Sequence, residues 1–186
     1  EVRRAAMLTG SLGRTAYLAL TGADLARVGL TVGVPLLPML AATASSPGEA
    51  GTALGPAPVS VEVKLDGARI QVHRHGGPGS RVEVFSRTLA DITARVPELV
   101  EVVSGFPGGS LILDGETLTL DENGAPRPFQ ETLSRFGSTG ARAEILRPWF
   151  FDILHADGVD LIDEPLSVRA ERLREAVGEH GILALE

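Results

Sequence analysis

The 186-residue chain carries 16 arginines and a single lysine, Lys64. A guanidinium keeps its proton in a protein, whereas an amine can lose one where its surroundings disfavour the charge, and it then has a nucleophilic lone pair. The lysine stands in "EVKLDGAR", with Glu62 two residues before it and Arg69 five after. From Val59 the pattern has period two, placing Val61, Val63 and Leu65 on one face and Glu62, Lys64 and Asp66 on the other. Asp66-Gly67 then predicts a hairpin turn, and Ala68, Ile70 and Val72 alternate with Arg69, Gln71 and His73 on the returning strand. Such a hairpin points Glu62, Lys64 and Arg69 at one small volume. There an arginine would disfavour the ammonium form of the lysine and also hold phosphate oxygens, as attack of a lysine on a nucleotide phosphate requires.

The octapeptide fits the pattern Glu-x-Lys-x-Asp-Gly-x-Arg, and in this it resembles the covalent nucleotidyltransferases: ATP-dependent DNA ligases, RNA ligases and mRNA capping enzymes. Further resemblances follow in the family's order. "FSR", Phe85 to Arg87, is similar to the motif whose arginine approaches the ribose and phosphates. "LDGE", Leu113 to Glu116, is similar to the motif whose glutamate lies near the ribose and the metal. "WFFDIL", Trp149 to Leu154, resembles the motif whose aromatic ring sandwiches the purine, with Phe151 as the ring and Phe150 as the alternative. "RPFQETLSRFG" resembles the DNA-ligase branch, with Gln130 and Arg135 supporting the site.

The resemblance covers nearly the whole chain and points to actinobacterial ATP-dependent DNA ligases of the three-domain type. It implies an α+β fold with an antiparallel-sheet adenylation domain, incomplete and preceded by the end of a helical domain. It also implies a reaction in which Lys64 takes AMP from ATP, passes it to the 5′-phosphate of nicked double-stranded DNA, and the adjacent 3′-hydroxyl displaces it. Glu62, Arg69, Arg87, Glu116 and Phe151 are then the nucleotide-binding residues. Glu62 would accept from the adenine amino group, Phe151 would stack on the ring, and hydrated Mg2+ would lie near Glu116. An RNA ligase or a capping-type enzyme is the alternative within the superfamily, and a non-catalytic binding module or scaffold the alternative outside it. The family's later motifs bring further lysines, but none follows Lys64 here. Together with a start at Glu1 and a close on "HGILALE", this reads as a fragment cut at both ends.

The elements that must position these residues follow the same residue patterns. Residues 1–33, rich in Ala, Leu and Arg and interrupted by Gly10, Gly13 and Gly22, read as the last helices of a DNA-binding domain. Residues 34–58 read as a strap, "VGVPLLPML" with two prolines, followed by a linker or short helix. Residues 59–186 read as the adenylation domain: strands around the "HGGPGS" turn, a helix over Asp91–Val103 restarting at Pro97, strands around Asn123-Gly124, a buried strand in "RPWFFDILHADG", and an amphipathic helix in "SVRAERLREAV". "GGPG" lacks the Gly-Lys-Ser/Thr ending of a phosphate loop and reads as a plain turn. His73, His75 and His155 have no metal-ligand spacing and read as strand-edge or turn residues.

The totals agree. At 44% apolar the chain can bury a core, and no cysteine is present to form a disulfide, a thiolate metal site or a cysteine nucleophile. A net charge of −7 argues against nucleic-acid binding by this chain unaided, because phosphate contacts need concentrated positive charge. Neither a leader nor an apolar run of about 20 residues is visible, so a cytoplasmic protein without membrane contact is expected, and a monomer is the expected state.

Overall fold

The computed structural model describes residues 1–128, 130, 132 and 146–178. Its centre is an antiparallel sheet of five strands: β1 (Ala68–Arg74), β2 (Val82–Ser86), β3 (Leu111–Thr119), β4 (Leu146–Ala156) and β5 (Val159–Asp160), in the order β2-β1-β3-β4-β5. Around it lie α1 (Val2–Thr9), α2 (Leu12–Leu20), α3 (Pro47–Leu54), α4 (Pro97–Ser104) and α5 (Leu166–Val177). The architecture is the expected α+β one. Among the described residues no helix is long and apolar enough to cross a membrane.

Alternation along the strands builds the main core on one face. Ile70 and Val72, Val82 and Val84, Leu111 and Leu113, and Phe150 and Ile153 all join it, and Leu99 and Val103 of α4 and Leu173 and Val177 of α5 close over them. Pro97 opens α4 at its first turn with Glu98 beside it, the arrangement that a helix N-terminus favours. The C-terminal end of α4 meets Arg74, which is fully buried. Its guanidinium donates to the carbonyls of Val103 (3.2 Å) in the helix and of Phe106 (2.5 Å), Pro107 (2.7 Å) and Gly108 (3.0 Å) in the loop that follows, fixing the exit of the chain from α4. The β4–β5 turn places Asp157 (φ 52°) and Gly158 (φ 84°) in the left-handed region, the backbone a two-residue hairpin needs.

The second face is covered only in part. Leu8 of α1 and Leu36 of the strap pack on Ile112 and Leu154, with Met7, Val28, Leu30, Val32 and Ile162 around them. The strap is irregular, as its prolines predict, and it is fastened to β1. The Gly33 N–H donates to His73 Nδ1 (2.9 Å), the Leu36 N–H to Gln71 Oε1 (2.9 Å), and His73 Nε2 donates to the same Gln71 oxygen (2.9 Å).

Two expectations change. Residues 59–67 form no strand, so Asp66-Gly67 is not a hairpin turn. The reason is topological: β2 and β3 occupy both edges of β1, leaving no edge for the preceding segment to pair with. His73 and His155 are not edge or turn residues either. The strap and the N-terminal segment cover their face, leaving them 0% and 8% exposed on interior strands. His75 does lie in a turn, bound to Glu83 (2.5 Å). Of the residues in "RPFQETLSRFG", Gln130 is helical and Arg135 lies outside the described residues.

Burial holds the His73 imidazole at a pKa of about 3, and the nearby His75 and His155 push it the same way. The ordinary value is 6.5, so the unfolded chain takes up this proton first. Stability is therefore complete above pH 6.5 and is lost as pH falls from 6.5 towards 3, by up to roughly 1.4 kcal/mol per pH unit. Urea unfolding across this range should show that slope, and His73→Gln should flatten it; an unchanged slope would refute the assignment.

Candidate active site

Where the strap's cover ends, the second face opens into a cavity of about 870 Å³. Glu62, Lys64, Arg69, Arg87, Glu116 and Phe151 all line it. They come from five separate places: the irregular segment before β1, β1 itself, the turn after β2, β3 and β4. The volume lies within the roughly 300–1,000 Å³ of small-molecule sites.

Each side chain is held differently. Arg69 makes a two-pronged ion pair with Asp114, Nε to Oδ1 at 3.0 Å and Nη2 to Oδ2 at 2.5 Å. Burial alone would lower the Arg69 pKa, but the hydrogen bond and charge of Asp114, with Glu116 and Asp152 beyond, outweigh it and the net shift is upward. Burial raises the Asp114 pKa above the usual carboxylate range, with Arg69 opposing. The Arg69 guanidinium also sits 5.4 Å from the centre of the Phe151 ring, in cation–π contact.

Glu116 is half-buried, and its Oε1 accepts the Gly67 N–H at 3.1 Å. Burial raises its pKa; the Gly67 N–H, Lys64 and Arg69 oppose the rise. The contact depends on glycine, because a Cβ at Gly67 would come within 2.3 Å of the Thr117 carbonyl oxygen. Gly67 is thus a close-approach residue rather than a turn residue. Lys64 lies on the exposed approach segment, its Nζ 3.2 Å from Asp66 Oδ1, and Glu62 Oε1 accepts from Ser60 Oγ at 2.9 Å. Arg87 rides on a tight turn in which Leu89 takes a left-handed φ of 65° and the Leu89 N–H donates to the Ser86 carbonyl at 2.9 Å.

The two phenylalanines separate cleanly. Phe150 is fully buried and meets Phe106 edge-on at 6.0 Å, whereas Phe151 lines the cavity. Alternation along β4 sets neighbouring side chains on opposite faces, and a register shift follows: Gly115 pairs with Phe150 and Asp114 with Asp152, so Phe151 is the extra residue of a β-bulge and Asp152 stays on its face. Gly115 allows the two strands to meet so closely, since a Cβ there would fall 2.6 Å from the Trp149 carbonyl oxygen. Asp152, next to the bulge, is held by Arg169 of α5 at 2.7 Å and 3.1 Å.

Sequence reasoning missed Asp114 as the partner of Arg69, although "LDGE" contains it, and it missed Arg169. It also gave the strap no place in the site, yet Met39, Leu40 and Ala41 form part of the wall. The alternation rule places Arg69 and Asp114 on the same face only once the β1–β3 register is known, which pairs Arg69 with Glu116 and Gln71 with Asp114.

An antiparallel sheet with a lysine, three arginines and two glutamates around one open cavity is the α+β arrangement that the motifs imply. Residues 38–185 match the family described as the ATP dependent DNA ligase domain, and the chain belongs to that family. It is 61% identical over 183 residues to a protein described as "Probable DNA ligase" from Pseudarthrobacter chlorophenolicus, covering 97% of this chain and 35% of that one. With the protein of the same description from Rhodococcus jostii the identity is 54% over 186 residues, covering 99% and 36%. The chain thus spans about a third of the length of these relatives. A solved structure of mycobacterial DNA ligase D complexed with ATP and MES is 30% identical, with a TM-score of 0.47 over 60% of this chain and 34% of that one.

Truncation should tell the two rings apart. Phe150→Ala is expected to cost about 3–5 kcal/mol of folding stability and Phe151→Ala well under half of that. Guanidinium unfolding of the two variants measures it, and equal losses would contradict the placement of Phe150 in the core and Phe151 at the cavity.

Proposed function

We propose that this chain belongs to an enzyme that seals nicks in double-stranded DNA at the expense of ATP, through an AMP adduct on Lys64. The single observation that carries the reading is the convergence of the six motif residues on one cavity of nucleotide size. Family membership and the similarity to proteins described as DNA ligases support it. Within the chain, residues 1–33 are the end of a helical DNA-binding domain, 34–58 the strap and linker, and 59–186 part of the adenylation domain. The enzyme acts as a cytoplasmic monomer.

Lys64 must lose a proton before it attacks. Asp66, 3.2 Å from its Nζ, is the carboxylate within reach to accept it. The freed amine forms a bond to the α-phosphorus of ATP, the bond from that phosphorus to the pyrophosphate oxygen breaks, and pyrophosphate leaves with the electron pair. Arg69, held rigidly by Asp114, presents its remaining donors to phosphate oxygens, and Arg87 adds a second positive charge from the neighbouring turn. Phe151 stacks on the adenine, and Glu62 accepts from its amino group, which favours ATP over GTP. Transfer of AMP to a 5′-phosphate and its displacement by a 3′-hydroxyl complete the sealing.

The donors present suit Mg2+. Glu116 gives one oxygen to the Gly67 N–H and keeps Oε2 for a hydrated, oxygen-seeking cation, which needs only one or two carboxylates when phosphates supply further ligands. When bound, the ion neutralises charge that builds up on the phosphates.

Lys64→Arg should abolish the AMP adduct, seen as a mass increase after incubation of the full-length protein with ATP and magnesium, although charge is preserved. An adduct on another residue of that variant would overturn the reading. Phe151→Ala should weaken ATP binding by roughly 1–3 kcal/mol in calorimetry; unaltered affinity would remove the stacking role.

A further inference from the structure

Two buried polar side chains of β1 have no part in the chemistry above. Gln71 and His73 are 7% and 0% exposed and spend their hydrogen bonds on the strap. His73 Nδ1 takes the Gly33 N–H, Gln71 Oε1 takes the Leu36 N–H, and Gln71 Nε2 donates to the Leu36 carbonyl at 3.4 Å. The His73 Nε2–H completes the group by donating to Gln71 Oε1. Gly33 has a φ of 88°, and a Cβ on it would stand 3.0 Å from both Glu83 Oε2 and His75 Cε1, so only glycine brings this amide onto the histidine. From these anchors the strap runs towards the cavity. Leu36 and Pro38 close against Arg69 and Asp114, leaving a gap of about 10 Å³, and Met39, Leu40 and Ala41 then form part of the cavity wall. Met39 and Leu40 are themselves 77% and 75% exposed, so their position depends on where the strap is fastened upstream. On the other side α1 adds one bond, from the Leu37 N–H to the Met7 carbonyl at 3.0 Å.

We propose that Gln71 and His73 are positioning residues for nucleotide binding, clasping Gly33 and Leu36 so that Met39–Ala41 close one wall of the cavity. The inference rests on the reading of that cavity as the ATP site. Neither residue lines the cavity. Releasing either leaves a backbone amide without its partner, half-buried at Gly33 or buried at Leu36, which favours departure of the strap from the sheet. The wall then opens while Lys64, Arg69 and Glu116 keep their own supports. Affinity should therefore fall and the chemical step should not.

The test compares His73→Phe, which keeps a ring against Phe85 but offers no acceptor, with His73→Asn, which keeps an acceptor close to the position of Nδ1. In the full-length protein His73→Phe should raise the ATP dissociation constant about tenfold, with the AMP-adduct rate at saturating ATP within about twofold of the parent. Thermolysin should cut faster beside Leu40, and His73→Asn should restore both affinity and protection. A folded His73→Phe protein with a faster-cut strap and parental ATP affinity overturns the clasp while leaving the nucleotide site intact. Failure of the unaltered protein to bind ATP overturns the underlying reading and the clasp with it. If His73→Phe does not fold, amide exchange of the unaltered protein decides: ATP should slow exchange at Gly33 and Leu36, and unchanged exchange overturns the proposal.

Discussion

The ion pair between Arg69 and Asp114 is the contact on which the open end of the sheet depends. Their side chains are 30% and 10% exposed, and a carboxylate so enclosed costs several kcal/mol unless a partner compensates it. Compensation requires β1 and β3 to be in one register, since Arg69 lies directly across from Glu116 and reaches Asp114 on the diagonal. A slip of β1 by one residue would turn Arg69 into the layer that holds Ile70 and Leu113 and leave Asp114 without its partner. The pair therefore selects the register, and the register places Glu116 where Gly67 can donate to it. The same guanidinium lies against Phe151 of β4, so three strands are tied through one arginine.

The bulge at Phe151 solves a geometric conflict within β4. A regular strand alternates strictly, and Phe150 must fill the core beside Phe106. Strict alternation would turn Asp152 into that core as well, and inserting one residue between the pairs Gly115–Phe150 and Asp114–Asp152 keeps Asp152 on the cavity side with Phe151, near the Arg69 and Asp114 pair. Arg169 then neutralises Asp152 from α5, at side-chain exposures of 18% and 19%. The core helix and the cavity are thus joined by an ion pair as well as by apolar packing.

Much of this was legible in the sequence, for identifiable reasons. The lone Lys64 with Glu62 and Arg69 is a pattern of residue types, and such a pattern survives an error in local structure: the hairpin drawn through Asp66-Gly67 does not exist, yet its three groups still line one cavity. Strands around Ile70, Leu113 and Ile153 were readable because one face of each is apolar. What failed was information that resides between strands. Periodicity cannot report that β1 is already paired on both edges, that β4 carries an extra residue, or that the glycines at 67 and 115 serve close approach. Residue type likewise misled for His73 and His155, which look solvent-seeking until a strap with no periodic signature lies over them.

Lys64 and Arg69 both line the cavity and are held in opposite ways, and on the proposed function the difference has a chemical consequence. Arg69 is fixed by two short bonds in a sheltered site, so an incoming anion must accommodate itself to the arginine. Lys64 and Asp66 are 83% and 82% exposed, and an ion pair so well solvated holds by a fraction of a kcal/mol to about 1 kcal/mol. Phosphate oxygens can therefore displace Asp66 at little cost. A nucleophile has to leave its resting partner and move towards phosphorus, whereas a residue that orients phosphate must not move at all. On the function proposed above, burial suits the two residues to those tasks: the only lysine in the chain stands on a segment without strand pairing, and the guanidinium is built into the sheet.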